Sequence, residues 1–349
     1  MANKDLIIIN NEKIINNIDS YYCDNVDIKS IPEDLSENFN VNLIARNSNF
    51  ASRKNHKINL KKITISSNIL MFLLSIFKTF KKNNATYLII SITPYTFFSF
   101  ILLFFFKKKI FVYLRSNGYE EYKAILGFFG PMIYHIMFKI VTSKSNIITC
   151  QERLFKKRKS HIVFPSELNS LWFENIKKTK VDKPKLLYVG RMKIEKGIFS
   201  LTKILNEINI DFKFSIVGGD SDKFNKKDIK NKKITFHQFC SKTSNLINYY
   251  DQHNIFILPS FTEAHPKVID ESLARITPVI VFEEIKHVIQ NRKGIFVSKR
   301  NPKSLIETIN FIIKNYASIQ HSMEQNMLPT KKDFILQMTN ILSEKSKAF

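Results

Sequence analysis

The sequence lacks several features that define other classes of protein. Its 349 residues contain only three cysteines, Cys23, Cys150 and Cys240, which stand far apart and form no Cys-x-x-Cys pair. This excludes a disulfide scaffold and a zinc knuckle, and it suits a reducing compartment. There is no Gly-x4-Gly-Lys-Ser/Thr phosphate loop, no Gly-x-Ser-x-Gly elbow and no internal repeat, and the histidines show no metal-ligand spacing.

A secretory signal is also missing from the start of the sequence. Met1–Asp5 leads directly into the strand-like run Leu6–Ile9. We therefore expect the protein to stay in the cytoplasm.

Acidic residues are scarce beside basic ones. The sequence has 54 lysines and arginines against 30 aspartates and glutamates, which gives a formal net charge of +24. Such a balance attracts phosphate-rich partners, namely nucleic acid, an anionic membrane or sugar nucleotides. The heavy use of Lys, Ile, Asn and Phe also fits an AT-rich coding bias in which many lysines are simply solvated. Charge alone leaves both interpretations open.

Length and composition indicate a folded chain of two domains or one large one. The residues are 44% hydrophobic and 24% charged, which is enough apolar material for a core in each half. Short β-branched runs alternate with longer helical stretches, the pattern of βαβ units and parallel sheets. The predicted strands of the first half are Leu6–Ile9, Val41–Ala45, Thr86–Ile92, Ile110–Leu114 and Asn146–Thr149. Those of the second half are Lys185–Val189, Lys213–Val217, Ile234–His237, Ile255–Leu258, Pro278–Phe282 and Ile295–Val297.

The polar, lysine-rich stretch Glu174–Pro184 separates these two sets of strands. We therefore predict a first domain over residues 1–174, a linker over 175–184 and a second domain over 185–330. Both domains are expected to be doubly wound α/β units with a cleft between them. Ligands of such sheets bind at the carboxyl ends of the strands.

One long uncharged segment, Tyr87–Phe106, has 20 residues and could span a bilayer by its hydropathy. However, Thr93 and Pro94 interrupt it, its first half is β-branched and its second half is rich in Phe and Leu. We favour a buried strand, a turn and a helix over a membrane span.

The same region suggests contact with a membrane surface. The helical segment Phe97–Phe106 is unusually apolar, and together with Ala124–Val141 it could place one face in a membrane. The run Arg153–Lys159 has five cations in seven residues with two apolar side chains between them, which suits anionic headgroups. A solvated basic turn is the alternative for this run.

Two segments of the second half carry side chains suited to a nucleotide sugar. The first follows the strand Lys185–Val189, where Gly190 permits a tight turn and Arg191 and Lys196 stand on the loop before a helix that begins near Ile198. Two cations over a helix N-terminus suit a diphosphate, since Arg supplies forked donors and Lys a point charge. Taken alone, however, this segment fits a surface loop with two cations better.

The second segment follows the strand Ile255–Leu258. Pro266 stands where a helix would begin, Glu263 lies on the loop before it, and Glu271 lies inside the helix, eight positions after Glu263. One carboxylate can then accept hydrogen bonds from a sugar and the other from a ribose. A single pair of glutamates at this spacing, taken alone, also occurs by coincidence.

Together and in this order, these segments resemble the donor-binding half of retaining glycosyltransferase family 4, whose fold is GT-B. The matching residues are Gly190, Arg191, Lys196 and Gly197 in the first segment, Pro259, Ser260, Glu263, Pro266 and Glu271 in the second, then Ala274, Pro278, Val279 and Ile280, and finally Gly294–Val297. The resemblance covers roughly Lys185–Ile313. It implies two Rossmann-like domains facing a central cleft, with the acceptor in the first and the donor in the second. Residues 331–349, helical over about Lys331–Ser346, would cross back onto the first domain.

The resemblance also implies roles for individual residues. Arg191 and Lys196 would hold the donor diphosphate and neutralise charge on the leaving nucleotide, which is where preorganised electrostatics contributes most. Glu263 would orient the donor sugar, and together with Arg191 and Lys196 it makes up the predicted catalytic residues. Glu271 would bind the ribose. The remaining predicted donor contacts are Gly190, Ala264, His265, Pro266, Lys267 and Val268. No catalytic base, metal ion or cofactor is expected.

The sequence departs from the family pattern at several positions. It reads Glu263-Ala264-His265 where Glu-Gly-Phe is common, and His265 either touches the donor or serves as a capping or packing residue. Glu283-Glu284-Ile285 replaces a Gly-Gly loop, with His287 where an acidic residue is frequent. On the acceptor side, Arg115 and Asn117 occupy the place of a loop histidine and are expected to line the cleft.

An acid-x-acid element, Asp220-Ser221-Asp222, has the form that binds Mn²⁺ or Mg²⁺ in the other major glycosyltransferase fold. It follows a predicted strand and two glycines, and Asp, Ser and Gly are turn residues. We interpret it as a surface turn and expect no metal site.

The sequence therefore predicts an enzyme that transfers a sugar from a UDP- or GDP-sugar, with retention, to a lipid-linked or saccharide acceptor. Surface polysaccharide or lipopolysaccharide assembly fits best, with the enzyme peripheral on the inner face of the cytoplasmic membrane and no nucleic acid partner. Two alternatives stay open. One is an epimerase or inverting transferase on the same fold, and the other is a non-enzymatic basic protein that binds anionic lipid or nucleic acid.

Overall fold

Two units make up the chain in a computed structural model. Unit 1 comprises Met1–Phe164 and Lys332–Phe349, and unit 2 comprises Pro165–Lys331. The structure describes residues 4–17, 20–48, 56–82, 84–150, 160–178, 181, 183–219, 234–240 and 242–344.

The β-branched runs of the first half form the sheet of unit 1. Its nine strands are β1 (Asp5–Asn17), β2 (Ser20–Cys23), β3 (Asn40–Asn47), β4 (His56–Ile58), β5 (Ile63–Ser66), β6 (Thr86–Ile90), β7 (Lys109–Leu114), β8 (Asn146–Thr149) and β9 (Ser160–Ile162). The parallel strands lie in the order β5-β3-β1-β6-β7-β8-β9. The chain winds outward in one direction from β1 and in the other from β6, so this is a doubly wound sheet. A short antiparallel extension joins the end of β1 to β2 and β4.

Helices cover both faces of this sheet. Those of unit 1 are α1 (Val26–Leu35), α2 (Ile69–Phe77), α3 (Pro94–Phe105), α4 (Gly118–Leu126), α5 (Gly130–Ser143) and α11 (Lys331–Ser343), the last being numbered in chain order with those of unit 2. Side chains of α1 and α11 share one buried core with one set of strand residues, and side chains of α2, α3, α4 and α5 share a second core with the alternate set. This is the two-sided burial that makes parallel strands apolar on both faces.

The sheet of unit 2 is entirely parallel. Its strands are β10 (Lys185–Val189), β11 (Lys213–Val217), β12 (Ile234–His237), β13 (Ile255–Leu258), β14 (Val279–Phe282) and β15 (Ile295–Ser298). They lie in the order β12-β11-β10-β13-β14-β15. The winding direction reverses between β10 and β13, which makes that position the topological switch point of the sheet.

The helices of unit 2 bury one apolar side each against this sheet. They are α6 (Ile198–Glu207), α7 (Thr243–Gln252), α8 (Lys267–Ala274), α9 (Pro302–Lys314) and α10 (Tyr316–Met323). The same core includes Leu168 and Trp172. These two residues explain why the contacts divide the chain after Phe164, ten residues before the boundary predicted at 174.

The uncharged segment Tyr87–Phe106 forms strand, turn and helix. β6 ends at Ile90, and α3 begins at Pro94 with Thr93 as its N-cap in a capping box. The strand–helix interpretation is therefore confirmed. Among the helices of the described residues, none is long and apolar enough to cross a membrane.

The other predicted helix of this region is interrupted. Residues 124–141 do not form one continuous helix, because α4 ends at Leu126 and a short 3₁₀ turn precedes α5. Gly127 has φ of +62° at the break, a left-handed conformation that a helix interior does not accommodate.

Candidate active site

Two loops meet at the switch point of the unit 2 sheet. One follows β10 and runs from Gly190 to Gly197, and the other follows β13 and runs from Pro259 to Pro266. Because β10 and β13 are neighbouring parallel strands, both loops leave the same edge of the sheet side by side. Ligands of doubly wound sheets bind at this position.

The two loops touch directly. Gly197 has φ of +66°, and a Cβ added there would lie 1.8 Å from the carbonyl oxygen of Pro259. The N–H of Phe261 also donates to the carbonyl oxygen of Glu195 at 3.0 Å. Only glycine fits at 197, since it both permits the backbone conformation and leaves room for the neighbouring chain.

This contact brings together two of the predicted catalytic residues. Nζ of Lys196 lies 2.6 Å from Oε1 of Glu263, and the same oxygen accepts a hydrogen bond from Oγ of Ser260 at 2.6 Å. The Glu263 side chain is 10% exposed and that of Lys196 26% exposed. The carboxylate is therefore fixed by two donors, while the ammonium keeps access to solvent.

The third predicted catalytic residue, Arg191, lies on the same loop but is held differently. Its carbonyl oxygen accepts a hydrogen bond from the hydroxyl of Tyr188, and the N–H of the preceding Gly190 donates to the carbonyl oxygen of Val217. The side chain is exposed, and its guanidinium forms no ion pair with a described residue. The backbone at 191 is fixed while the side chain is free to meet a ligand.

The second predicted glutamate, Glu271, lies inside α8 and is nearly buried, at 8% exposed. Oε2 accepts a hydrogen bond from the hydroxyl of Tyr250 at 2.9 Å. Burial raises the pKa of Glu271 to about 7, although the Tyr250 hydrogen bond and the nearby charge of Lys267 oppose this. The side chain therefore changes its charge near neutral pH.

The start of α8 holds the remaining predicted donor contacts. Pro266 is the N-cap of the helix and Lys267 its first residue. Nζ of Lys267 lies 2.7 Å from Oε1 of Glu167, so this lysine is held within an ion pair. The carbonyl oxygen of Val268 lies 3.4 Å from the hydroxyl of Tyr250, and Ala264 is half-buried on the loop before the helix.

His265 belongs to a buried polar cluster. Its Nε2 lies 2.9 Å from Oδ2 of Asp270, and both side chains are 2% exposed. Arg292 contacts the other oxygen of the same carboxylate. Of the two roles considered for His265, this arrangement favours packing over contact between the imidazole and a donor.

Two further residues fix the loop after β13, and the sequence pattern identified neither in this role. The guanidinium of Arg300 donates to the carbonyl oxygen of Pro259 at 3.0 Å and stacks on the rings of Phe261 and Phe282 at 4.2 and 4.3 Å. His287 places Nε2 at 2.9 Å from the carbonyl oxygen of Glu263.

Arg300 itself is held by Glu284, with 2.7 Å between Nε and Oε1. Partial burial raises the pKa of Glu284, but the Arg300 hydrogen bond, a backbone hydrogen bond and the charge of Arg300 together outweigh it, so the pKa is lowered. The Glu283-Glu284 pair that replaces the family's Gly-Gly loop therefore has a structural partner.

Unit 1 has a cavity at its own switch point, where β1 and β6 are neighbours. It measures about 430 Å³, and its lining includes Asn10, Glu12, Arg46, Thr93 and Arg115. Arg115, which was predicted on the acceptor side, therefore lines a cavity of unit 1. It donates from Nη1 to Oδ2 of Asp27 at 2.8 Å.

Three buried N–H groups around this cavity donate to no acceptor in the described part of the chain. They are Nδ2 of Asn10, Nε of Arg46 and Nε of Arg115. Buried donors are normally paired, so these groups suit a ligand rich in oxygen atoms. Asn117, the other predicted acceptor residue, is instead the N-cap of α4 and does not line the cavity.

Among the residues that the structure describes, no three His, Cys, Asp or Glu side chains form a group that could hold a metal ion. Asp220-Ser221-Asp222 and the basic run Arg153–Lys159 lie outside the described residues.

Comparison with solved structures defines the class of fold. The chain is similar to Anabaena HepE in complex with UDP, with a TM-score of 0.67 and 12% identity over 97% of this chain and 99% of that one. It is also similar to WaaG, a glycosyltransferase involved in lipopolysaccharide biosynthesis, with a TM-score of 0.64 and 12% identity over the same shares of the two chains. The fold is the α/β fold GT-B, as predicted, built from two Rossmann-like units.

The second unit matches a family of known proteins. Residues 173–330 match the family described as Glycosyl transferases group 1. The match contains both loops of the candidate site together with α8.

Two curated relatives are also described as glycosyltransferases. An uncharacterized glycosyltransferase of Haemophilus influenzae is 26% identical over 187 residues, which are 51% of this chain and 52% of that protein. A putative teichuronic acid biosynthesis glycosyltransferase of Bacillus subtilis, TuaC, is 27% identical over 134 residues, 37% of this chain and 33% of that protein. The chain thus spans about half the length of one relative and a third of the other.

Proposed function

We propose that the protein is a retaining glycosyltransferase that moves a sugar from a nucleotide-sugar donor to a lipid-linked saccharide, in the assembly of a surface polysaccharide or lipopolysaccharide. The observation that carries this proposal is the contact between Lys196 and Glu263 at the switch point of unit 2. It places a cation for phosphate beside a carboxylate for sugar hydroxyls, at the edge of the sheet where a nucleotide would bind.

The donor is a UDP- or GDP-sugar. Arg191 and Lys196 take its diphosphate, and Glu271 accepts hydrogen bonds from the ribose hydroxyls through its second oxygen, since Tyr250 occupies the first. Glu263, with the backbone N–H groups near Ala264 and His265, orients the sugar. The bound UDP of Anabaena HepE supports a uridine nucleotide among these choices.

In this reaction, stabilisation of the leaving nucleotide accelerates the cleavage of the bond between the sugar and the diphosphate. As the bond between the sugar and the diphosphate breaks, negative charge grows on the phosphate oxygen, and the two cations stabilise it from fixed positions. The proposal includes no metal ion or cofactor, because Arg191 and Lys196 supply the positive charge. Oε1 of Glu263 is already bonded to Lys196 and Ser260, and we assign Glu263 an orienting role. The acceptor attacks the face from which the nucleotide departs, so the anomeric configuration is retained.

The acceptor binds in unit 1. Its saccharide occupies the cavity beside Arg115, where the N–H groups of Asn10, Arg46 and Arg115 meet hydroxyl or acidic oxygens. The likeness to a lipopolysaccharide enzyme and to a teichuronic acid enzyme supports a lipid-linked saccharide. The reaction then takes place at the inner face of the cytoplasmic membrane.

Two measurements test the proposal. First, a thermal-shift series with UDP, GDP, ADP and CMP identifies the nucleotide, because a ligand of the native state raises its melting temperature. Second, the matching labelled sugar nucleotide is incubated with lipid extracts as acceptor, and the anomeric configuration of the product is read by NMR.

The proposal is supported if the product retains the anomeric configuration and if Lys196→Met loses the transfer activity. Inverted product, or an epimerised donor formed without acceptor, contradicts it and identifies one of the alternative enzymes on this fold. No stabilisation by any of the nucleotides contradicts it as well and favours a non-enzymatic binding protein.

A further inference from the structure

One side of unit 1 exposes an unusual number of large apolar side chains. Of the 27 large hydrophobic side chains that are exposed among the described residues, 16 lie on α2, α3, α4, α5 and the turns that end or join them. They are Leu70, Met71, Leu74, Phe77, Phe98, Phe104, Phe105, Phe106, Ile125, Leu126, Phe128, Phe129, Met132, Ile133, Ile136 and Ile140. We call this surface the apolar face.

The apolar face is the outer side of a helix layer whose inner side is already packed. Phe72 and Ile76 of α2, Phe100 of α3, and Tyr134 and Met137 of α5 lie in the core against the sheet. A helix that covers a sheet normally presents polar residues on its opposite side. Here the opposite sides of three neighbouring helices are apolar as well, so a second burial partner is expected.

Aromatic contacts link these helices into one surface. The ring of Phe106 at the end of α3 lies 5.6 Å from that of Phe77 on α2 and 4.9 Å from that of Phe80. Two of the most exposed side chains are Phe105, at 75%, and Phe128, at 90%. Such large aromatic groups in water are unfavourable unless another apolar phase takes them up.

Positive charge borders the same face. Residues 69–144 contain ten lysines and arginines but only two acidic residues, Glu120 and Glu121. Most of these lysines lie where α2, α3 and α5 end and the next strand begins, so they form a fringe along one edge of the helix layer. The fringe lysines are Lys78, Lys81, Lys107, Lys108, Lys139 and Lys144. Lys82 and Lys109 are not part of the fringe, since Lys82 pairs with Asp5 and Lys109 donates to carbonyl oxygens at the end of α11. Nζ of Lys108 lies 4.6 Å above the ring of Phe80, which packs against Phe77 and Phe106 of the apolar face.

We infer that the apolar face docks onto an anionic phospholipid bilayer, with its Phe, Leu and Ile side chains at the boundary of the acyl chains and the fringe lysines among the headgroups. The inference rests on the proposed function and adds to it the surface that brings the enzyme to its lipid-linked acceptor. Lysines beside exposed aromatic and aliphatic groups suit a monotopic surface. A second copy of the chain fits less well, because the two lysine fringes would meet each other.

Vesicle co-sedimentation of the full chain tests the inference without substrates. One set of vesicles is phosphatidylcholine alone, and the other is an equal mixture of phosphatidylcholine and phosphatidylglycerol. The wild-type chain is expected to pellet with the mixed vesicles about tenfold or more better, since each lysine near an anionic surface contributes about fivefold. Salt at about 1 M should weaken the binding without abolishing it, because screening removes only the charge contribution.

Matched variants separate the two contributions. Phe105→Ser with Phe128→Ser removes exposed apolar groups from the face, and its control is Phe311→Ser with Met327→Ser, which are 53% and 97% exposed in unit 2. Lys78→Gln, Lys81→Gln and Lys107→Gln together lower the charge of the fringe. Their control is Lys203→Gln, Lys303→Gln and Lys314→Gln, all exposed in unit 2.

The double Phe variant and the triple Lys variant should each lose about tenfold or more in vesicle binding, while the two unit 2 controls bind as the wild type does. If the Phe and Lys variants pellet with the vesicles as well as their controls do, the inference is overturned. A dimer in light scattering that the Phe variants convert to monomer, with no binding to either kind of vesicle, would also overturn it. The melting temperature with and without UDP is recorded for every variant. A wild-type chain that binds vesicles but not UDP would contradict the proposed function alone.

Discussion

Lys196 and Glu263 stand 67 positions apart in the chain, yet Nζ of the lysine lies 2.6 Å from Oε1 of the glutamate. The contact exists because β10 and β13 are neighbours in the sheet, although β11 and β12 separate them in the chain. A donor diphosphate would compete with Glu263 for this ammonium group. In the proposed reaction, the pair would join the site for the leaving group to the site for the sugar.

The first prediction concerns this lysine. Lys196→Met should lower UDP affinity about tenfold and turnover by about two to three orders of magnitude, because it removes a cation from the developing charge of the leaving nucleotide. The control is Lys193→Met on the same loop, since Lys193 is 48% exposed and lies 3.7 Å from Glu195. Calorimetry with UDP and a transfer assay give the two quantities. Equal losses in both variants would show a general effect of charge and not a specific site.

Gly197 carries the second prediction. Gly197→Ala should abolish UDP binding, because the new Cβ would meet the carbonyl oxygen of Pro259 and push the two loops apart. Gly127→Ala is the matched control, since Gly127 has a similar φ of +62° but nothing within 4 Å of the added carbon. The control should cost about 1–3 kcal/mol of backbone strain, because ψ at Gly127 is −140°, and it should keep UDP binding. UDP affinity by calorimetry and unfolding in urea by circular dichroism distinguish steric displacement from strain.

The sequence predicted those strands that are apolar and β-branched. All eleven predicted strands occur, and β8, β10, β11, β12 and β13 have the predicted bounds. The pattern missed β2, β4, β5 and β9, which have three or four residues each. Other strands of four residues were predicted from a run of apolar residues, whereas these segments include polar residues and have no continuous buried run. They form because a neighbouring strand supplies their hydrogen bonds.

Much of the candidate site could also be predicted, since its motif residues are close in sequence and follow strands. The contacts of Arg300 and His287 with this site could not be predicted. The two residues reach the loop after β13 from the loops after β15 and β14, and only the order of the strands brings these loops together. For His265, neither charge nor spacing revealed that Asp270 and Arg292 would enclose it.

The third prediction is a dependence of stability on pH. Burial raises the pKa of Glu271 from 4.5 to about 7, so the folded chain keeps a proton that the unfolded chain releases between these values. The free energy of unfolding of unit 2 should therefore fall as pH rises through this window, by on the order of 3 kcal/mol.

Glu271→Gln should remove this dependence on pH. Glu307→Gln should retain it, because Glu307 is an exposed residue of α9. Urea unfolding followed by the fluorescence of Trp172, the single tryptophan, reports unit 2. A slope that is the same in both variants would assign the titration to another group.

The fourth prediction concerns Arg275, which is 3% exposed. Its guanidinium binds both oxygens of Asp251 and donates to the carbonyl oxygens of Trp172, Glu174 and Asn175. Arg275→Met leaves a buried carboxylate and three carbonyl groups without this donor, so it should cost about 3–5 kcal/mol. The exposed variant Lys314→Met should change stability by less than about 0.5 kcal/mol. Urea midpoints from Trp172 fluorescence compare the two, and similar midpoints would contradict the anchoring role.

The fifth prediction separates the two residues first expected on the acceptor side. Arg115 lines the cavity of unit 1, whereas Asn117 caps α4 by accepting a hydrogen bond from the N–H of Tyr119 at 3.2 Å. Arg115→Lys keeps the charge beside Asp27 but loses the Nε donor, so it should raise the KM for the acceptor about tenfold with UDP affinity unchanged. Asn117→Ala should leave that KM unchanged and cost about 1 kcal/mol of stability. Initial rates at varied acceptor concentration decide the matter, because a higher KM in the Asn117 variant alone would place the acceptor outside the cavity.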